Sequence, residues 1–288
     1  MSEVIMDTPQ KPNAFFQLIK GLSYLLLFIA SQFIAAYVLT FYYAFQTAAN
    51  VPAGTKIDAV QIAETAIEKA LADSNSLLFV YGSFLVIFLL LFFTVRRKNF
   101  WEETRFKKFS VKYLPAMALL SFGFYFFVDA VLNFLPKSLL KSYAESSSFI
   151  NEGSFAFSLV AQALIAPLTE ELTFRGLMLS RFDKAFPRWI SIAISSLLFG
   201  LVHGDPVWFT YAAILGCTFC IVAECTGSVF STFLMHCVFN ASGTVLAYVF
   251  PYVTTIELII FLIIGIPMIA AGFFLLYRTS GKLKAVKE

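Results

Sequence analysis

Charge is what this sequence has least of. Charged residues make up 14% of its 288 positions, against 59% hydrophobic and 17% aromatic, and histidine occurs only twice. With a mean hydropathy of +0.79, that balance excludes a soluble globular domain. Several catalytic and metal signatures are also missing. There is no HExxH helix to deliver zinc and no GxSxG or GxGD motif; His203-Gly204-Asp205 lacks the first glycine of the latter. Of the four cysteines, Cys217 and Cys220 have CxxC spacing but no second pair, so together with Cys225 and Cys237 they read as small apolar residues at helix contacts. No internal repeat accompanies the intramembrane charges, which disfavours a transporter built of two related halves.

What is present is a series of apolar runs near 19–45, 76–95, 114–135, 154–179, 188–204, 206–224, 228–250 and 256–277. Each is close to the ~20 residues a helix needs to cross a bilayer. The expected fold is an all-α polytopic transmembrane bundle of about eight spans. The pair 188–204 and 206–224, joined only by His203–Pro206, also fits one broken or re-entrant element. Arg96, Arg97, Lys98, Arg105, Lys107, Lys108, Lys112, Arg181, Lys184, Arg188 and Arg278 fall in loops of one side, together with Lys11, Lys20, Lys282, Lys284 and Lys287. The other side has only Lys56, Lys69, Lys137 and Lys141, so the positive-inside rule puts both termini in the cytoplasm of a multi-pass cell-membrane protein. The net charge of +3 is then an orientation signal and no argument for nucleic acid. The basic, aromatic loop 96–113 reads as a segment lying against anionic lipid.

The chain divides into a disordered tail (1–14), N-terminal helices with an outer amphipathic loop (15–150), a polar helical core (151–255), and a last helix with a basic tail (256–288). In the outer loop, Ile57, Val60, Ala63, Ile67 and Leu71 recur at helical spacing, as expected of a helix on the membrane surface. The first apolar run is too long for a signal-peptide core and reads as a retained helix.

Polar residues at membrane depth are functional candidates because an unpaired charge there costs several kcal/mol. In the core, Glu171 and Arg175 are four apart and share a face as an ion pair, while Glu170 points about 100° away, toward a cavity. Pro167 interrupts the helix just before them. Phe199 with His203, and His236 with Asn240, are likewise four apart. Counting ~1.5 Å per residue from the basic ends puts Glu170 ~18 Å, His203 ~22 Å, His236 ~12 Å and Asn240 ~18 Å deep, close enough to converge. A buried carboxylate with an imidazole suits water activation, and a His with an Asn amide suits an oxyanion. Glu170, His203 and His236 could instead hold a divalent metal such as zinc, although the HExxH helix that usually delivers it is absent; no cofactor is required by the hydrolytic reading. Asp129 with Asn133, Glu224 and Glu257 read as end-of-helix or contact residues, and the pair Glu102-Glu103 as a solvated decoy.

The strings Glu170-Glu171-Leu172-Thr173-Phe174-Arg175, Phe199 to His203 and His236 to Asn240 fit EExxxR, FxxxH and HxxxN in order. Over about 155–250 the chain thereby resembles the CPBP family of intramembrane proteases, also called the CAAX protease and bacteriocin-processing or Abi family, which includes the type II prenyl endopeptidases. The resemblance implies that Glu170 activates water with His203, that His236 and Asn240 form the oxyanion hole, and that Glu171, Arg175 and Phe199 support them. The family has been labelled metalloprotease, while its prenyl proteases work through glutamate without a required metal. The implied partners are a membrane peptide or protein substrate (a prenylated CAAX terminus, a bacteriocin or a signalling peptide) and the bilayer. A membrane scaffold that regulates a partner protein without proteolysis is the alternative.

Overall fold

The computed structural model describes residues 13–52, 58–148, 154–250 and 252–281. Residues 1–12 of the expected tail, Lys56 and Ile57 of the outer loop, and Lys282, Lys284 and Lys287 lie outside them. The described residues are helical throughout, without strands. In chain order they form α1 (Ala14–Ala49), α2 (Ala59–Ala72), α3 (Ser74–Val95), the single turn α4 (Phe100–Glu103), α5 (Leu114–Phe134), α6 (Lys137–Ser148), α7 (Phe155–Ala185), α8 (Arg188–Leu201), α9 (Pro206–Thr226), α10 (Val229–Val249) and α11 (Thr255–Thr279).

Seven of these, α1, α3, α5, α7, α9, α10 and α11, are long and apolar enough to cross a membrane. The expected eighth, α8, has 14 residues and so rises only ~21 Å, short of a ~30 Å hydrocarbon core. The apolar run continues to residue 204, but the helix does not: Gly204 adopts φ 75°, a conformation glycine alone takes without cost. Asp205 then starts α9 by accepting the amides of Val207 and Trp208 at 2.9 and 3.0 Å, a side-chain N-cap. The turn that carries His203 therefore stops at depth.

Several other starts have the same local logic. Asn13, Asp73, Ser154 and Ser228 cap their helices through side-chain oxygens, and Thr254 with Glu257 forms a reciprocal capping box, so Glu257 is an end-of-helix residue as its position suggested. The outer-loop helix exists as α2, but it docks on α1 through Ala66 and Ala70. At 36 residues, α1 outruns the bilayer and gives α2 something to pack on. The apolar Val60, Ile67 and Leu71 face outward, available to lipid.

The loop carrying Arg105 and the basic ends of α7, α8 and α9 meet at one end of the bundle. Glu103 pairs with Lys98 (2.9 Å) and Arg181 (3.1 Å), and Glu224 with Arg105 (2.9 Å) and Arg188 (2.6 Å). Ser228 Oγ donates to the Lys107 carbonyl and Val229 N to that of Arg105. Two apolar cores rise from this end. One, with Phe28, Tyr81, Phe174 and Phe199, joins α1, α3, α7 and α8; the other, with Leu120, Phe219 and Met235, joins α5, α9, α10 and α11. The polar residues of α7 lie between them.

Candidate active site

Where Pro167 leads one to expect a kink, α7 contains two π-helical stretches, Ala161–Ile165 and Glu171–Met178, on either side of Ala166–Glu170. The first has an identifiable cause. Ala166 N–H bonds back to the Ala161 carbonyl, a five-residue step, so the next carbonyl, Gln162, would need the N–H of residue 167. That residue is Pro167, which has none. Asn240 of α10 donates its Nδ2 to the Gln162 carbonyl at 2.8 Å instead. Single π turns of this kind recur at functional sites.

Glu171 and Arg175 are wholly buried and paired, Oε1 to Nη1 at 2.9 Å. The Arg175 guanidinium lies 4.0 Å from the Phe199 ring centroid and 5.2 Å from that of Phe219, held between one aromatic of each core by cation–π attraction. Gly216 permits this: a Cβ there would come 3.1 Å from Phe199 Cδ1 and 3.3 Å from Arg175 Nη2. Phe199 also touches the rings of His203 (5.1 Å) and His236 (5.9 Å), so the aromatic of FxxxH is the hub on which the polar groups are assembled.

Glu170 and both histidines open onto one cavity of about 830 Å³, which Asn240 lines as well; Glu171 and Arg175 do not line it. The ring nitrogens can be assigned from their acceptors. His203 Nδ1 is 2.8 Å from the Phe199 carbonyl, which can only accept; Nδ1 therefore carries hydrogen and Nε2 keeps its lone pair. His236 Nδ1 lies 3.0 Å from Glu171 Oε1, also an acceptor, while its Nε2 is 3.7 Å from Glu170 Oε2. His236 thus bridges the two glutamates, a link that helical spacing within each span does not reveal. Glu171 serves both Arg175 and His236 rather than Arg175 alone.

Sequence spacing also missed the polar layer behind Asn240. Gln162 Nε2 donates to Asn75 Oδ1 (2.8 Å), Asn75 Nδ2 to Ser158 Oγ (2.9 Å), and Thr244 Oγ1 to Gln162 Oε1 (3.3 Å). Gln162 is a polar residue inside an apolar run, so the rule that singled out Glu170 could have found it, whereas Asn75 falls just before the run 76–95. Among the described residues, no three His, Cys, Asp or Glu side chains gather with the geometry of a metal site. Glu170, His203 and His236 share the cavity but do not form a ligand set. All four cysteines are free, and Cys220 sits buried as a helix-contact residue near Ser196 Oγ (3.9 Å).

Ionisable and amide side chains gathered around a cavity inside a bundle of membrane-length helices define an intramembrane polar site. Residues 152–242 match the family model described as type II CAAX prenyl endopeptidase Rce1-like. That match covers about a third of the chain and supports a likeness of this segment to CAAX-type proteases of the CPBP family, and with it a peptidase. Comparison with curated proteins and with solved structures gave no match.

Proposed function

We propose that the protein is an intramembrane endopeptidase that hydrolyses a peptide bond by water activated at Glu170 and His203. The observation that carries the proposal is the division between the two adjacent glutamates: Glu171 is consumed by Arg175 and His236, whereas Glu170 faces the cavity with a side chain 13% exposed. A carboxylate held without a hydrogen-bonded counter-ion beside a cavity is suited to take a proton from water. His203 Nε2, with its lone pair free, helps orient that water.

As hydroxide adds to the carbonyl carbon, negative charge develops on the carbonyl oxygen. Asn240 offers its second amide hydrogen, the first being held by the Gln162 carbonyl. His236, whose ring is fixed at Nδ1 by Glu171, is the second group proposed to contact that oxygen, through Nε2. The proton on Glu170 then passes to the departing amine and the C–N bond breaks; the new acid, which keeps the other hydrogen of the water, gives that proton to the amine, and a carboxylate and an ammonium leave. No step draws on a metal, since the residues present do not assemble into a metal site.

Taking the basic end as cytoplasmic, as the positive-inside rule directs, puts both termini inside and turns the cavity outward, toward Phe250 and Tyr252. The substrate class that fits is a peptide or protein tail held at the surface of the cell membrane. The test compares wild type with Glu170→Gln at matched expression in native membranes, scoring N- and C-terminal peptides by mass spectrometry. A cleavage product that vanishes in the variant is the expected result. Identical peptide profiles and phenotypes would move the assignment to a non-proteolytic scaffold.

A further inference from the structure

The cavity extends beyond Glu170 to the end of the bundle opposite the ion-paired loops, where Tyr252 is 90% exposed. Among the described residues that line it there is no lysine or arginine. Of the other two carboxylates on its wall, Glu257 is engaged as the cap of α11. The remaining one is Asp129 of α5, outside the family-matched segment. Its Oδ2 is buried and has no hydrogen-bond partner among the described residues.

Aromatic rings surround it. Tyr125 stands one turn earlier on α5 and packs on Phe239 at 6.2 Å. Tyr143, on α6 outside the spans, has its hydroxyl pKa raised by burial, with the Asp129 charge contributing. Its ring lies 6.0 Å from Trp208 and 6.3 Å from Tyr211. All five aromatics line the same cavity.

A carboxylate oxygen left unpartnered at membrane depth is costly, and such groups persist where a counter-charge arrives. A metal ion would need several oxygen or nitrogen ligands, and none gather here. A lysine or arginine side chain needs one carboxylate and ring faces for its charge, with apolar wall for its stem. We propose that Asp129, with Tyr125, Tyr143, Tyr211 and Trp208, forms a subsite that takes a lysine or arginine side chain of the peptide substrate. The proposal rests on the peptidase reading and adds its specificity. Tyr125 is level with Phe239 and Gly243 of α10, and Asp129 is one turn further out, so the subsite lies on the order of 10 Å along the bundle axis from His236. An extended peptide advances ~3.3 Å per residue, which places the basic residue about three positions from the scissile bond.

The experiment uses the full-length protein in lipid nanodiscs and pools of short peptides. One position at a time is set to lysine or to norleucine, its uncharged near-isostere, and cleavage is read by mass spectrometry. The expected result is a lysine-over-norleucine ratio in kcat/KM of about tenfold or more at one position, the worth of a hydrogen bond to a charged group. That ratio should collapse toward unity in Asp129→Asn, survive in Asp129→Glu, and invert to favour norleucine in Asp129→Lys. A ratio that is the same in wild type and Asp129→Asn overturns the subsite.

Binding of the same peptides to Glu170→Gln protein, followed by tryptophan fluorescence, separates the two readings. If wild type cleaves none of them yet lysine peptides bind tighter in an Asp129-dependent way, the subsite stands and the peptidase reading falls. Equal affinity for lysine and norleucine peptides sinks the subsite whatever the cleavage result.

Discussion

The two ends of the bundle use the same residue types differently. At the basic end, Glu103 and Glu224 each hold two cationic partners, Lys98 with Arg181 and Arg105 with Arg188, and every one of these pairs stitches loops or helix ends together. In the interior and toward the opposite end, Glu171 is held through Oε1 by Arg175 and His236 and does not line the cavity, whereas its neighbour Glu170 and the more distant Asp129 do. The contrast teaches that an acidic residue in this chain is structural where its charge ends on a partner already in the fold. It is a candidate for chemistry where the charge points into space that a substrate can fill.

The largest break in that contrast should come from Glu170→Gln, which keeps the shape and removes the base. Peptide turnover should fall by 10²–10⁴-fold or more, as for loss of a general base, with thermal stability in detergent little changed. His203→Ala should match it in activity. Arg175→Met tests the ion-paired member of the two: it strands Glu171 in a dry site, and about 3–5 kcal/mol of stability should be lost, read as a drop in Tm and in yield of folded protein. A fully stable Arg175→Met protein would mean that Glu171 needs no counter-ion.

Asn240→Ala removes both an oxyanion donor and the partner of the Gln162 carbonyl. It should slow turnover ~100-fold and raise amide exchange around Ala161–Ala166, a change that loss of an oxyanion donor alone would not produce. His236→Ala should give a similar rate loss, and Cys217→Ala almost none. At the basic end the effects should be smaller. Glu224→Gln should cost on the order of 1 kcal/mol and leave peptide turnover intact.

Glu103 should have the smallest effect, with a defined pH dependence. The Lys98 hydrogen bond, with the charges of Lys98 and Arg181, holds its carboxyl below the ordinary 4.5. A depressed carboxylate contributes stability that is present above its unfolded pKa and lost as pH falls through the folded one. The gap in Tm between wild type and Glu103→Gln should therefore close only as the pH drops below about 4.5, and for this partly exposed pair it should not exceed about 1 kcal/mol.

Much of this molecule was legible in the sequence. Hydropathy placed all the long helices within a few residues, and four-residue spacing paired Glu171 with Arg175 and distinguished Glu170 from its neighbour. The depth count brought Glu170, His203, His236 and Asn240 within one or two helical turns of one another, and all four line one cavity. Each of those inferences depends on geometry internal to one helix, its rise and its 100° step, which the chain carries wherever it goes. The length of α8 was misjudged because an apolar run does not mark where a glycine turns the backbone.

The rest depended on how helices rotate against one another. In a lipid-soluble bundle the spans are apolar on nearly every face, so no polar side marks which way each turns. Packing alone let His236 join Glu170 to Glu171, let Asn240 cover the carbonyl that Pro167 leaves unmatched, and put Asp129, read from the sequence as an end-of-helix or contact residue, on the wall of the cavity. The sequence by itself determined the helices and the chemistry each one carries. The tertiary structure decided which of those groups are neutralised and which are left facing open space, because an unsatisfied charge is a property of neighbours that are distant in the chain.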